Sequence, residues 1–485
     1  MDSEIKAKQT VDKPEYLYRE ARRAHNDATA RGLDGWKGAG GYYHRRIHDV
    51  FKFLVAPEQK ILELGCGQGD LIAALKPSLG IGLDFSTEMI RRASTRHPDL
   101  HFIEADAMNI GLEMKFDVII LSDLLNDLWD VQAVFREVRR LSHPRTRIIM
   151  NVYSRMWEIP LGLAEKLHLA KPNLYQNWLT IDDITNLLHL ENLEPIRSWQ
   201  EILWPVTTPL LNEFFNKFLV KLWPFHELAL TNMMIARPQP DHTENKKPVV
   251  SVIVPARNES GNISNIIRRV PEMGAGTEIV FVEGNSTDDT YEVIRREVAG
   301  HPERRCQVWQ QTGKGKGDAV RLGFSKAEGD ILMILDADLT VPPEDLPRFY
   351  DALVQGKGDF INGVRLVYPM EKQAMRFFNL LGNKFFSLTF SWLLGQPVKD
   401  TLCGTKVLRT SDYELIARNR NYFGNFDPFG DFDLLFGATK QTLKIVDLPI
   451  RYRERTYGTT NIQRWRHGWL LLKMVAFAAS RIKFI

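Results

Sequence analysis

Residues 60–70 read KILELGCGQGD. Lys60 to Leu64 is short and mostly apolar, as a buried strand is, and Gly65, Cys66, Gly67, Gln68 and Gly69 follow it. Asp70 to Leu75 then reads as the start of a helix. A strand, a glycine loop and a helix in succession present free backbone N–H groups to a bound molecule, because glycine lets the chain turn tightly and approach a ligand closely. Working outward, Gly80 to Leu83 reads as a second strand ending at Asp84. His101 to Glu104 is a third, ending near Asp106, and Phe116 to Leu121 a fourth, ending at Ser122 and Asp123. Each candidate polar residue therefore stands at the C-terminal end of a strand, where open α/β sheets bind ligands. An acid at the end of the second strand commonly bonds a ribose hydroxyl pair.

The chain is 485 residues long, which points to more than one domain. Its 44% hydrophobic and 25% charged residues are the balance of a folded protein, and a formal net charge of +3 gives no argument for nucleic acid as a partner. Cys66, Cys306 and Cys403 are widely spaced, so neither a disulfide scaffold nor a structural zinc site is indicated, and a cytoplasmic setting fits. The polar start, MDSEIKAKQT, has no apolar signal region.

The clearest seam is the polar segment RPQPDHTENKK, Arg237 to Lys247. On both sides of it short β-branched runs alternate with helical patterns, which reads as α/β with parallel sheet. Beyond the seam, Val249 to Val254 forms a strand followed by PARNES (Pro255 to Ser260). Glu278 to Val282 forms another, ending in EGNSTDDT. After the loop GKGKGDAVRLGF (Gly313 to Phe324), the apolar strand Ile331 to Leu335 stops at Asp336, Ala337 and Asp338. Two carboxylates one residue apart at a strand end can hold a divalent cation together with phosphate oxygens, although such a triplet alone is more often a polar turn.

Together, ELGCGQG, GLDFS, EADA and FDVIILSD resemble the class I S-adenosylmethionine methyltransferases. The resemblance implies Glu63, Gly65, Cys66, Gly67 and Gly69 around the amino-acid part of the cofactor. It also implies Asp84 and Phe85 at the ribose, Asp106 and Ala107 at the adenine, and Ser122 and Asp123 nearby. Ala229 to Ala236 looks like the family's final antiparallel strand. The methyl acceptor is expected to be a glycan or a related molecule. His44, in YYHRR, is either a base at the acceptor or a structural residue, and a lone histidine is more often the latter.

The motifs of the second half occur in the order and spacing of family 2 glycosyltransferases of the GT-A fold. This resemblance implies Pro255, Ala256, Glu259, Glu283, Ser286 and Lys316 around the nucleotide. Asp336, Ala337 and Asp338 would lie at the ribose and metal, with Asp336 and Asp338 holding Mg²⁺ or Mn²⁺. VEGNS stands where the family usually has VDDGS, so the donor stays open between UDP- and GDP-linked sugars. KDTLCGTKVLRT, FGDFDLLFGA and PIRYRERTYGTTNI resemble the branch that transfers sugars to polyprenyl phosphates. That branch implies Asp431 and Asp433 by the reaction centre, and Arg451, Arg453 and Arg455 near phosphates. A phosphate acceptor is already anionic and needs orienting cations more than a base, a role that suits arginine. A hydroxyl acceptor would instead need Asp431 or Asp433 as general base.

The expected architecture is α/β with two domains. An N-terminal helical cap (1–42) precedes a Rossmann-like methyltransferase domain (43–238). A linker (239–247), a GT-A nucleotide-sugar-binding domain (248–457) and a basic, apolar amphipathic tail (458–485) follow. No apolar run reaches the ~20 residues that span a bilayer. Leu203 to Leu230, Phe377 to Leu394 and Trp469 to Phe477 are either core or membrane-surface segments. The expected location is the cytoplasm, peripheral at the inner face of the membrane. A bifunctional enzyme is the leading expectation. The alternative is a glycosyltransferase acting on a soluble hydroxyl acceptor, with the first half as a cofactor-binding regulator or a scaffold.

Overall fold

In the computed structural model the run at 60–64 is the strand β1 (Lys60–Leu64). Ile61, Leu62 and Leu64 are buried on both of its faces, as in parallel sheets covered by helices on each side. The structure describes residues 13–32, 41–166, 174–240, 247–365, 377–423, 430–451, 453, 457 and 464–484. The chain divides into two units, Met1–Gln239 and Pro240–Ile485.

Among the described residues, the first unit forms a seven-stranded sheet from β1, β2 (Leu79–Asp84), β3 (His101–Glu104), β4 (Phe116–Ser122), β5 (Ser142–Tyr153), β6 (Leu193–Glu201) and β7 (Thr231–Pro238). Its order is β3-β2-β1-β4-β5-β7-β6. The strands from β3 to β5 run parallel, and β7 runs antiparallel to both of its neighbours, as the reading of Ala229 to Ala236 anticipated. The chain leaves β1 in one direction for β2 and β3 and returns on the other side for β4 and β5. The gap between β1 and β4 is therefore the switch point, where a cleft opens at the strands' C-terminal ends.

The second unit's described residues form another seven-stranded sheet: β8 (Val250–Ala256), β9 (Thr277–Glu283), β10 (Arg305–Gln310), β11 (Ile331–Ile334), β12 (Phe360–Val364), β13 (Lys406–Arg409) and β14 (Ile445–Pro449). The order is β10-β9-β8-β11-β13-β12-β14, with β13 antiparallel to β11 and β12. Val252, Val254, Ile279, Phe281, Met333 and Leu335 are buried in one continuous core beneath it.

Two segments, the start of the polar seam and the C-terminal tail, are tied more closely to their units than the sequence alone suggested. Arg237 belongs to β7 and not to the seam: it is 1% exposed and its Nε donates to Glu194 at 2.7 Å. Its charge looked like linker chemistry because its partner lies on a neighbouring strand. The C-terminal segment is integral to its unit. Phe477, in the helix Arg464–Ala478, stacks at 6.3 Å on Phe436 and lies 6.1 Å from Phe423, in an aromatic cluster that also holds Phe390 and Phe432. Among the described residues no helix is long and apolar enough to cross a membrane.

Candidate functional sites

At the first unit's switch point lies a cavity of about 290 Å³. Gly65, Asp84, Phe85, Asp106, Ala107, Ser122 and Asp123 line it, so the ends of β1, β2, β3 and β4 converge as expected. Gly65 takes a φ of +71° while its amide donates to the Leu83 carbonyl at 2.7 Å. That left-handed turn brings the chain back over the cavity at little cost only for glycine. Glu63, Cys66, Gly67 and Gly69 do not line the cavity. Glu63 Oε2 accepts from the Ile72 amide at 3.1 Å, at the start of the helix Asp70–Ala74. The Gly67 amide donates to Asp84 Oδ2 (3.0 Å) and the Ser86 amide to Asp84 Oδ1 (2.9 Å). Burial pushes the Glu63 carboxyl up to about 8, and burial likewise raises Asp84 despite its backbone hydrogen bonds.

The helix Lys13–Gly32 supplies a wall that sequence reasoning left without named residues. Tyr16, Tyr18, Arg19, Arg22 and Arg23 line the same cavity. Arg19 pairs with Asp106, and Arg22 with Asp127 at 2.7 Å. Asp27 accepts from the Ser86 hydroxyl and, at 3.2 Å, from the Glu88 amide. Also missed was the group around Asp123. The Tyr43 hydroxyl donates to Asp123 Oδ1 at 2.6 Å, and Asn151 Nδ2 donates to the same oxygen. His44 is exposed and does not line the cavity. Its neighbour Tyr43, one position away on the helix Gly41–Leu54, is buried and faces inward. The YYHRR segment was therefore informative, through its tyrosine.

In the second unit a cavity of about 330 Å³ opens at the ends of β8, β9 and β11. Pro255, Ala256, Glu259, Lys316, Asp336, Ala337 and Asp338 line it, together with Arg257, Gly284, Gln311 and Gly315. Lys316 Nζ lies 2.6 Å from Asp336 Oδ1. Burial alone would raise the Asp336 carboxyl, but the Lys316 ammonium outweighs it and holds the group below its ordinary value. The Lys316 ammonium, in turn, is held above its own. Asp338 Oδ1 accepts from the Thr340 amide (3.1 Å) and hydroxyl (2.7 Å). No group of three His, Cys, Asp or Glu side chains that could hold a metal occurs among the described residues. A divalent cation would thus rest on the two aspartates and complete its shell with ligand oxygens and water, which suits Mg²⁺ and similar ions.

Several expected residues stand elsewhere. Glu283 is buried and turned into its own loop, accepting from the Ser286 amide and, at 3.3 Å, from Gln310. Neither Glu283 nor Ser286 lines the cavity. Asp431 pairs with the wholly buried Lys406 at 3.1 Å, and its charge also reaches Lys316. Asp433 faces away and is held by Arg420 at 2.9 Å. Both aspartates begin the helix Asp431–Lys440, and residues two apart on a helix point to opposite sides. Arg451 and Arg453 are exposed just after β14, and the Arg453 amide donates to the Thr340 carbonyl at 3.0 Å. Arg455 lies outside the described residues.

Comparison with known proteins fits these geometries. Residues 56–203 match the methyltransferase domain family, and residues 251–414 match glycosyl transferase family 2. The undecaprenyl-phosphate 4-deoxy-4-formamido-L-arabinose transferase of Edwardsiella ictaluri is 26% identical over 43% of this chain and 61% of its own length. The dolichol-phosphate mannosyltransferase of Pyrococcus furiosus is 28% identical over 48% of this chain and 67% of its own length. The chain thus spans about three fifths to two thirds of the length of these curated relatives. An S-adenosylmethionine-dependent methyltransferase from Mesorhizobium loti, 20% identical, covers 41% of this chain and all of its own, with a TM-score of 0.32. The chain carries a methyltransferase domain followed by a family 2 glycosyltransferase domain.

Proposed function

We propose that the second unit transfers a sugar from a UDP- or GDP-linked donor to a polyprenyl phosphate, with inversion, and that the first unit methylates a glycan or a related molecule from S-adenosylmethionine. The observation that carries the first part is the Lys316–Asp336 pair beside Asp338 in one cavity. It sets a half-buried cation and two carboxylates at the strand ends where a donor diphosphate would lie. Pro255, Ala256 and Glu259 would hold the nucleotide. Asp336 and Asp338 would hold a divalent cation, which neutralises the departing diphosphate when bound. Lys316 adds a fixed positive charge that needs no reorganisation. The exposed Arg451 and Arg453, just after β14, suit an acceptor phosphate. The names of the two curated relatives support a lipid phosphate as acceptor.

Peripheral membrane contact belongs to the same proposal. The helices Phe377–Leu394 and Arg464–Ala478 contain no acidic residue. They expose Phe385, Leu388, Trp392, Trp469 and Leu472, with Lys384 and Lys473 among them. Apolar and basic side chains together favour the headgroup boundary of an anionic bilayer. The test is incubation with radiolabelled UDP- and GDP-sugars, Mn²⁺ and polyprenyl phosphate in vesicles. Label should pass to the lipid phase and fail to do so with Asp338→Ala. Donor binding without transfer to lipid, but with transfer to a soluble glycan, would overturn the lipid acceptor.

A further inference from the structure

Asp123 differs from Asp84 and Asp106, two other carboxylates that line the first unit's cavity. Asp84 uses both oxygens to hold backbone amides. Asp106 bonds the Met108 amide at 2.8 Å and pairs with Arg19. Asp123 receives both of its donors, Tyr43 and Asn151, on Oδ1, and Oδ2 takes no hydrogen bond among the described residues. The residue lines the cavity, and its φ of +52° lifts it out of the line of β4. It stands across the switch point from Asp84, which ends β2, and from Asp106, two residues beyond the end of β3. Asp123 thus meets the cavity from the side opposite the acid expected at the ribose, with one carboxylate oxygen left for a ligand.

We propose that Asp123 is the general base that takes the proton of the methyl acceptor, a substrate presenting a neutral hydroxyl or amine. This rests on reading the first unit as an S-adenosylmethionine-dependent methyltransferase. The acceptor's lone pair attacks the methyl carbon. The carbon–sulfur bond breaks with its electron pair passing to sulfur, which leaves a neutral thioether. The acceptor proton goes to Asp123 Oδ2 and from there to water. A thiolate or carboxylate acceptor would need no such base, so the arrangement selects for the less acidic nucleophiles.

The surroundings tune the carboxyl for this task. Burial pushes it up to about 6, against the hydrogen bonds of Tyr43 and Asn151, which favour the charged form, while the nearby Asp127 acts in the same direction as burial. Asp127 is itself paired with Arg22. Burial holds the Tyr43 and Tyr153 hydroxyls well above their ordinary values, so both stay protonated, and Thr231 completes the shell through the Tyr43 hydroxyl at 3.4 Å. Asp123 is thus ionised at neutral pH, yet basic enough to hold a proton in passing.

An acceptor need not be known to test this. S-adenosylhomocysteine lacks the transferable methyl, whereas sinefungin carries a protonated amine in its place. A carboxylate at the transfer point should favour sinefungin, by about 10-fold at pH 7.5 on the scale of a charge-assisted hydrogen bond. Titration calorimetry of the full chain would measure both affinities. Asp123→Asn, which tolerates the same backbone, should bring the two ligands within about 2-fold while leaving S-adenosylhomocysteine almost unchanged. Tyr43→Phe removes a donor from the carboxylate and so raises its pKa. The sinefungin preference, which should vanish in the wild type as pH falls through about 6, should then vanish at a higher pH. An unchanged preference in Asp123→Asn would overturn the proposal. So would an equal loss for both ligands, the mark of a residue that merely holds the cofactor. Failure of the wild type to bind either ligand would instead sink the methyltransferase reading, and this proposal with it.

Discussion

The two halves of the chain place carboxylates at the same point of a similar scaffold, the C-terminal ends of central parallel strands, and treat them in opposite ways. Around the first cavity Glu63, Asp84 and Asp123 meet mostly backbone amides and neutral hydroxyl or amide donors, and burial raises all three. Around the second, Asp336 lies against Lys316 and is lowered, while Asp431 lies against Lys406. The difference follows the charge each site is proposed to receive. A sulfonium cofactor with an amino group is drawn to a cavity rich in acids, whereas a diphosphate requires those acids to be neutralised first. The electrostatic difference is thus set by which side chains face the strand ends, and the sheet itself contributes little to it.

The largest effect should come from breaking the deepest ion pair. Lys406 is 0% exposed and the Asp431 side chain 6%. Lys406→Met would strand a buried carboxylate, and the C-terminal unit should lose about 3–5 kcal/mol in denaturant unfolding. Adding Asp431→Leu should restore most of that stability while sugar transfer stays lost. Restored transfer would show that the pair is a packing device and not part of the site. Next, Lys316→Met should reduce donor turnover about 100-fold or more, the usual loss when one fixed charge or donor is removed from a transition state. Gly404→Ala attacks the same pair from behind, because an added Cβ would stand 2.1 Å from Asp336 Oδ2 and 2.4 Å from Lys316 Nζ. It should cost about 10-fold in the same assay, with S-adenosylmethionine affinity unchanged. On the acidic side, Asp84→Asn should weaken S-adenosylmethionine binding about 10-fold by calorimetry and leave sugar-donor binding intact.

The sequence was most informative where chemistry follows local order. Glycine loops, strand ends and the acids that close them are contiguous in the chain, so KILELGCGQG and ILDADL could be placed on strands and turns directly. It was least informative where the decisive contact is distant. Arg22 contributes to the first cavity's wall but also donates to the Tyr175 carbonyl, 153 residues away. Tyr43 reaches Asp123 across 80 residues. Side-chain direction was the other obstacle. Glu63 and Glu283 sit in the right motifs, but strand and turn geometry points both into the fold. Asp431 and Asp433 could be separated only once the helix was known to begin at Asp431. Nothing within KDTLCGTKVLRT singles out Lys406, and only its burial against Asp431 shows that it counterbalances that carboxylate.

The smallest predicted effect tests the comparison most sharply. Arg19, Arg22 and Arg23 bring positive charge to the wall of the acidic cavity, and the Arg19 guanidinium pairs with Asp106, the carboxylate expected at the adenine. The Arg19 side chain is 39% exposed and also reaches Glu15 at 3.4 Å, so the pair is worth little in water, ~0.2–1 kcal/mol. If Asp106 must be released for the cofactor, Arg19→Ala removes a competitor, and S-adenosylmethionine should bind about 2- to 5-fold more tightly in calorimetry. The affinity for a UDP- or GDP-sugar serves as the internal control and should not move. A weakening of similar size would mean that the guanidinium grips the cofactor itself. The first cavity would then use a fixed cation much as the second uses Lys316, and the electrostatic contrast between the two halves would no longer hold.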